Sequence, residues 1–265
     1  MAIKLVAVDM DDTLLDGTLQ VSPRTCEAIH KAQEQGVVVT IATGRMFSSA
    51  LPFAKQLNIQ APLIVYNGGM VRYPISKEMV FHKTIEADVA GKIVEFFRQR
   101  GWYLQSYIND ELYVAERTAE AIYYEKFANI KAIVVGDEFY SMKHEPTKFL
   151  ALSEPDTIQQ ILKVVNAEFG GAVFAATSKA TFLELTHPSV NKGHALAALA
   201  DKLAIRREEV MAIGDSNNDY PMIDYAGFGV AMGNASERVK KIAQAVTAHN
   251  NAHGVAEAIE KYVLR

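Results

Sequence analysis

Four short polar clusters in this sequence have residue types suited to handling a phosphate group. Asp9-Met10-Asp11-Asp12-Thr13 places acids directly after the apolar run Leu5-Val6-Ala7-Val8. Thr43-Gly44-Arg45 offers a hydroxyl, a glycine that lets a backbone N–H approach closely, and a guanidinium. Lys192 supplies an ammonium, and Gly214-Asp215-Ser216-Asn217-Asn218-Asp219 adds two more acids. If Asp9, Asp11, Asp215 and Asp219 share one crevice, like charges about 4 Å apart repel by roughly 4 kcal/mol at an effective dielectric near ~20. A cation must compensate. Hard oxygen ligands with room for water and phosphate suit Mg²⁺, and Lys192 is a second positive charge facing the phosphate. Such a set describes a phosphoryl-transfer site.

Each cluster also has a plainer reading. An Asp pair after a strand serves equally well as a turn or a helix cap. Thr-Gly usually just ends a strand, and Gly-Asp-Ser-Asn-Asn-Asp resembles an ordinary polar loop. An EF-hand calcium loop fails in both acidic clusters, because its sixth position requires Gly where Leu14 and Tyr220 stand. No Gly-x4-Gly-Lys-Ser/Thr phosphate loop occurs.

The elements that must position these residues decide between the readings. Ile3–Val8 reads as a buried strand, and Ser22-Pro23 starts a helix that Gly36 stops. Val37–Ala42 is a second strand, a helix begins near Arg45, and Leu63–Tyr66 is a third strand. This alternation predicts a parallel sheet covered on both faces. It returns at the end, with helices over Lys192–Leu203, Asn218–Asp224, Glu237–Ala243 and Val255–Val263 and strands over Val210–Ile213 and Phe228–Ala231. The clusters at Asp9, Thr43 and Gly214, with Tyr66-Asn67-Gly68-Gly69, follow core strands, and an open parallel sheet binds ligands outside the carboxyl ends of its strands. The middle differs. Helices over Glu86–Arg100 and Ile158–Phe169 mix with strands over Trp102–Ile108, Leu112–Ala115, Thr147–Leu152, Ala172–Ala176 and Phe182–Leu185. This predicts an inserted domain with a mixed or antiparallel sheet, residues 83–186, within a core formed by 1–82 and 187–265.

Composition sets the outer limits. The 265 residues suit one large or two modest domains, and 49% apolar with 22% charged residues is ordinary for a soluble protein. A net charge of −4 argues against general attraction to nucleic acid or anionic membrane. No apolar stretch is long enough to cross a bilayer, the N-terminus does not read as a signal peptide, and the one cysteine, Cys26, permits no intrachain disulfide. The expected setting is cytoplasmic.

The motifs together resemble the haloacid dehalogenase superfamily, and within it the Cof-type phosphatases of subclass IIB. Four features carry the resemblance in the family's order: Val8-Asp9-Met10-Asp11-Asp12-Thr13-Leu14, Thr43 in Ile41-Ala42-Thr43-Gly44-Arg45, Lys192 in Val190-Asn191-Lys192-Gly193, and Gly214 to Asp219. Gly229-Val230-Ala231-Met232-Gly233-Asn234-Ala235 and Gly254-Val255-Ala256 add to it. The resemblance implies an α/β fold, a Rossmann-like core with a parallel sheet and an inserted α/β cap of type IIB between Thr43 and Lys192. It implies Asp9 as nucleophile and metal ligand, Asp11 as general acid and base with its backbone carbonyl on the metal, and Asp215 as the third ligand. It places Asp219 behind them, orienting Lys192 or a metal-bound water. The Met10 backbone N–H, Thr43, Gly44, Lys192 and Asn218 are then expected to hold the phosphoryl oxygens. The implied activity is Mg²⁺-dependent hydrolysis of a small phosphorylated metabolite, such as a sugar phosphate, through an aspartyl-phosphate. A monomer or weak homodimer suffices. A phosphomutase on the same scaffold and a non-catalytic sensor of phosphorylated metabolites are the rival readings. Asp12, Arg45 and His194 receive no role.

Overall fold

Short apolar runs broken by helix-starting residues organise the beginning of the chain. Strand β1 (Leu5–Val8) is buried on both faces, as a strand inside a parallel sheet should be. Helix α1 (Pro23–Glu34) starts where the Ser22 hydroxyl accepts the Thr25 N–H and Pro23 takes the first helical position. Gly36, at φ 80°, follows it in the left-handed conformation. Strand β2 (Val38–Ile41), helix α2 (Phe47–Gln56) and strands β3 (Leu63–Val65), β4 (Met70–Arg72) and β5 (Met79–His82) follow. The structure is a computed structural model that describes residues 2–141 and 143–264. It divides the chain into two units, Met1–Phe81 with Asn191–Arg265, and His82–Val190.

The second unit holds α3 (Ala87–Gln99), β6 (Gln105–Ile108), β7 (Glu111–Val114), α4 (Ala119–Ala128), β8 (Ala132–Val134), β9 (Lys148–Leu152), α5 (Pro155–Phe169), β10 (Phe174–Lys179) and β11 (Phe182–Thr186). Its sheet runs β10-β11-β9-β6-β7-β8, antiparallel except for the β7–β8 pair. Asn109 and Asp110 both have positive φ, as a two-residue hairpin turn demands. Phe149, Ala151, Leu183 and Leu185 cluster with Ile93 and Phe97 of α3 and Ile158 and Ile161 of α5. Burying each large apolar side chain of this kind contributes roughly 1.5–3 kcal/mol. Strand alternation turns Gln105, Tyr107, Lys148 and Glu184 to the other face.

The first unit resumes with α6 (Lys192–Lys202), β12 (Val210–Gly214), α7 (Tyr220–Tyr225), β13 (Phe228–Ala231), α8 (Glu237–Ile242), β14 (Ala245–Val246) and α9 (Gly254–Tyr262). Its sheet is wholly parallel in the order β14-β13-β12-β1-β2, with Leu5 opposite both Val210 and Val38. Helix α1 packs on α9, and Arg24 forks Glu260 across that contact. The third predicted strand meets expectation in part, since its Ala42–Ile64 bridge to the parallel sheet is parallel. β3 otherwise pairs antiparallel with β4. Positive φ at Tyr66, Asn67 and Gly68 turns the chain back after three residues, which sets up this small sheet. Helix α4 and strands β4, β5, β8 and β14 were not expected from the sequence. Among the described residues, no helix is long and apolar enough to cross a membrane.

Candidate active site

Because β1, β2 and β12 run parallel in one sheet, the residues that follow them gather at one edge. The Asp9 N–H donates to the Ile213 carbonyl at 2.9 Å, fixing the first acid beside the end of β12. The next residues coil tightly, with Leu14 N–H on Asp9 O and Leu15 N–H on Met10 O. Lys192, at the start of α6, is fully buried, and its Nζ donates to Asp9 Oδ1 and Asp219 Oδ1, each at 2.5 Å. Asp219 Oδ2 accepts the Asp215 and Ser216 N–H groups at 3.0 Å. A Cβ on Gly214 would lie 2.6 Å from the Asp219 Cβ, so glycine is what lets this acid fold back on its own loop. Asp9, Asp215 and Asp219 each offer a carboxylate oxygen within 4.8 Å of the others.

The remaining predicted residues fall into two groups. Thr43 is buried, its N–H donates to Ile64 O at 2.8 Å, and its Oγ1 accepts the Arg45 N–H at 3.1 Å. A Cβ on Gly44 would meet Asn67 Oδ1 at 3.0 Å. Asn218 Nδ2 donates to Asn67 Oδ1 at 3.0 Å, joining the β12 loop to the turn after β3. Met10 is buried in the coil after Asp9. The Asp11 carboxylate stands apart from the three clustered acids. Arg45 forks it, Nε to Oδ2 at 2.9 Å and Nη2 to Oδ1 at 2.5 Å. This partner for Arg45 was not assigned from sequence. Asp12 sits at φ 57°, and its carbonyl accepts Asn234 Nδ2 at 2.7 Å, which gives it a turn-forming place. His194 shares the start of α6 with Asn191, whose Oδ1 accepts its N–H at 2.8 Å.

The charges explain what the cluster can take up. Burial pushes the Asp9 carboxyl well above the usual carboxylate range, the charges of Asp219 and Asp215 add to this, and Lys192 opposes it. Asp215 is pushed up to about 7, first by burial and then by the Asp219 charge, while the Thr13 hydroxyl pulls the other way. Burial disfavours the Lys192 ammonium, yet Asp219 and Asp9 outweigh it, and its pKa ends above the usual lysine value. Three carboxylates around one ammonium leave an excess of negative charge. At 4.8 Å each like pair repels by roughly 3 kcal/mol at an effective dielectric near ~20. A second cation relieves this, and an all-oxygen donor set fits Mg²⁺. Asp219 already accepts from Lys192, Asp215 and Ser216, so Asp9 and Asp215 are better placed to offer oxygens.

Two contributors stand in clusters quoted from the sequence but received no role there. Thr13 Oγ1 donates to Asp215 Oδ1 at 3.0 Å, linking two polar clusters that lie 202 positions apart. Asn67 touches the surroundings of Gly44 and Asn218 together. Thr13 belonged to a quoted motif, and Asn67 followed a predicted strand, so position was the available signal for both.

A family profile described as haloacid dehalogenase-like hydrolase matches residues 6–259. The chain is 33% identical to the 5-amino-6-(5-phospho-D-ribitylamino)uracil phosphatase YcsE of Bacillus subtilis, over 99% of this chain and 96% of the relative. It is 30% identical to phosphatase YwpJ of the same organism, over 97% and 99%. The crystal structure of a haloacid dehalogenase-like hydrolase from Bacteroides thetaiotaomicron superposes with a TM-score of 0.91 at 31% identity, over 98% of this chain and 99% of that one.

Proposed function

The chain belongs to the haloacid dehalogenase-like hydrolases and is a phosphatase, and from that premise we propose that it hydrolyses small phosphate monoesters with Mg²⁺ and Asp9 as nucleophile. The observation that carries this reading is Lys192 held between buried Asp9 and Asp219, with Asp215 completing an over-acidic cluster. Asp9, Asp215 and the Asp11 backbone carbonyl would hold the ion. Bound there, Mg²⁺ neutralises the acids and the phosphate and so permits an anion to approach an anionic nucleophile.

In this reading an Asp9 carboxylate oxygen attacks phosphorus, and the bond from phosphorus to the ester oxygen breaks. Asp11 gives its proton to the departing alkoxide. It then takes a proton from water as that water attacks phosphorus, and the bond to Asp9 breaks, restoring the carboxylate. Asp11 must leave the Arg45 fork to do this. Lys192, the Thr43 hydroxyl, the Met10 and Gly44 N–H groups and the Asn218 amide stabilise charge on the phosphoryl oxygens. Asp219 orients Lys192. We assign His82–Val190 as the cap. The 5-amino-6-(5-phospho-D-ribitylamino)uracil in the name of YcsE carries its phosphate on a ribityl chain, which supports sugar-like phosphates as the substrate class. The expected setting is cytoplasmic.

A phosphate-release screen over phosphorylated metabolites tests this. Release with Mg²⁺ that stops in EDTA and returns on adding Mg²⁺ is expected. Full release in metal-free buffer contradicts the metal assignment, and no release from any ester contradicts the substrate class.

A further inference from the structure

The turn after β3 is strained where strain has no need to be. Tyr66, Asn67 and Gly68 all have positive φ, at 53°, 57° and 98°. Asparagine and glycine tolerate that region, but a buried tyrosine does so only when its surroundings hold it there. Two backbone bonds do so: the Tyr66 N–H donates to Arg45 O and the Asn67 N–H to Thr43 O, both at 2.9 Å. A Cβ on Gly68 would lie 2.5 Å from the Asn191 carbonyl, directly before Lys192, so this turn also packs closely on the start of α6. One turn thus touches Thr43–Arg45, Asn218 and the residue preceding Lys192.

Asn67 contributes more than its backbone. Its Oδ1 accepts from Asn218 Nδ2, while the Ser216 hydroxyl donates to Asn218 Oδ1. An amide nitrogen carries two N–H groups. With its oxygen taken by Ser216 and one N–H by Asn67, the Asn218 amide has a fixed orientation that leaves the second N–H to aim elsewhere. We propose that Asn67 is a positioning residue of the phosphatase site: its side chain orients the Asn218 amide toward the phosphoryl group. The proposal rests on the phosphatase reading above.

Asn67→Gly isolates the side chain, because glycine accepts the left-handed backbone without strain. The kinetic constants and the inhibition constant of inorganic phosphate are measured with Mg²⁺ for wild type, Asn67→Gly, Asn218→Ala and the double variant. Asn67→Gly is expected to weaken phosphate inhibition and lower kcat/KM by about tenfold with an unchanged melting temperature. The double variant is expected to lie within about twofold of Asn218→Ala, since residues acting through one another are not additive. Should Asn67→Gly not fold, Asn67→Ser is expected to show the same loss at smaller size. Wild-type phosphate inhibition in Asn67→Gly, or losses that multiply in the double variant, overturn the proposal and leave the phosphatase reading standing. Absence of both phosphate release and phosphate inhibition in the wild type overturns the two together.

Discussion

Both units bury charge on a sheet, and they balance it differently. In the second unit Lys148 Nζ lies 3.4 Å from Glu184 Oε1 and 4.9 Å from the Tyr107 ring centroid. Next to them Gln105 Nε2 donates to the Tyr107 hydroxyl, and Gln105 Oε1 accepts the Tyr103 hydroxyl. The buried Lys148 cation has a carboxylate partner there. In the first unit Lys192 faces Asp9 and Asp219, with Asp215 alongside. Balanced burial is compatible with a purely structural role, because a paired and hydrogen-bonded charge is satisfied by the protein itself. Unbalanced burial lowers stability unless a ligand supplies the missing charge. The contrast supports placing the proposed site in the first unit.

The strongest way to break this contrast is to neutralise one acid in each place. Asp9→Asn is expected to reduce phosphate release by about 10⁴-fold or more, as removal of a nucleophile does. The same change should raise the melting temperature of the metal-free protein, since it removes a charge that burial and like charges disfavour. Glu184→Gln should act in the opposite sense and destabilise by ~3 kcal/mol, because it removes the charge that compensates buried Lys148. Replacing Lys148 by Met and Glu184 by Leu together should cost less than Glu184→Gln alone. A destabilised Asp9→Asn or a neutral Glu184→Gln removes the contrast.

A second prediction sharpens it. In the metal-free protein Asp215 titrates near 7, above its unfolded value, so its contribution falls as pH rises from about 4 through 7. In the proposed reading Mg²⁺ would bind the ionised form. The rise in melting temperature that Mg²⁺ produces should therefore grow between pH 6 and pH 8, and Asp215→Asn should weaken Mg²⁺ binding by about 10–100-fold. A Mg²⁺ effect independent of pH in this range contradicts the assignment.

The smallest effect lies at the other end of the same strands. Glu209, just before β12, is held down to about 2 by hydrogen bonds from Arg206 and then Lys4. Its folded pKa is below the unfolded one, so its stabilisation is present above the unfolded value near ~4.3 and is lost as pH falls toward 2. Glu209→Gln should melt below wild type at pH 6, and the gap should close between pH 5 and pH 2. A gap of constant size across that range contradicts it.

The sequence made the sheet edge legible because buried strands read as apolar runs and the polar clusters follow them directly. Asp9, Thr43 and Asp215–Asp219 needed only that rule to be drawn together, while Lys192, at a helix start, came in through its charge and the family resemblance. The departure of β3 was not legible, since it depends on positive φ at Tyr66, a residue type that gives no hint of it. Helix α4 escaped because its apolar residues spread around its circumference, with Tyr123 exposed and Ala121 and Tyr124 buried. The Asp11–Arg45 fork and the Asn67–Asn218 bond join residues 34 and 151 positions apart through side-chain directions that no local pattern encodes.

The most direct test of the account is to quench the Mg²⁺-loaded enzyme in acid during turnover of a reactive phosphate ester and map its peptides by mass spectrometry. A phosphoryl group on Asp9, absent from Asp9→Asn and absent without Mg²⁺, is the predicted result. Steady turnover with no phosphoryl group on Asp9, continuing in Asp9→Asn, would contradict the account.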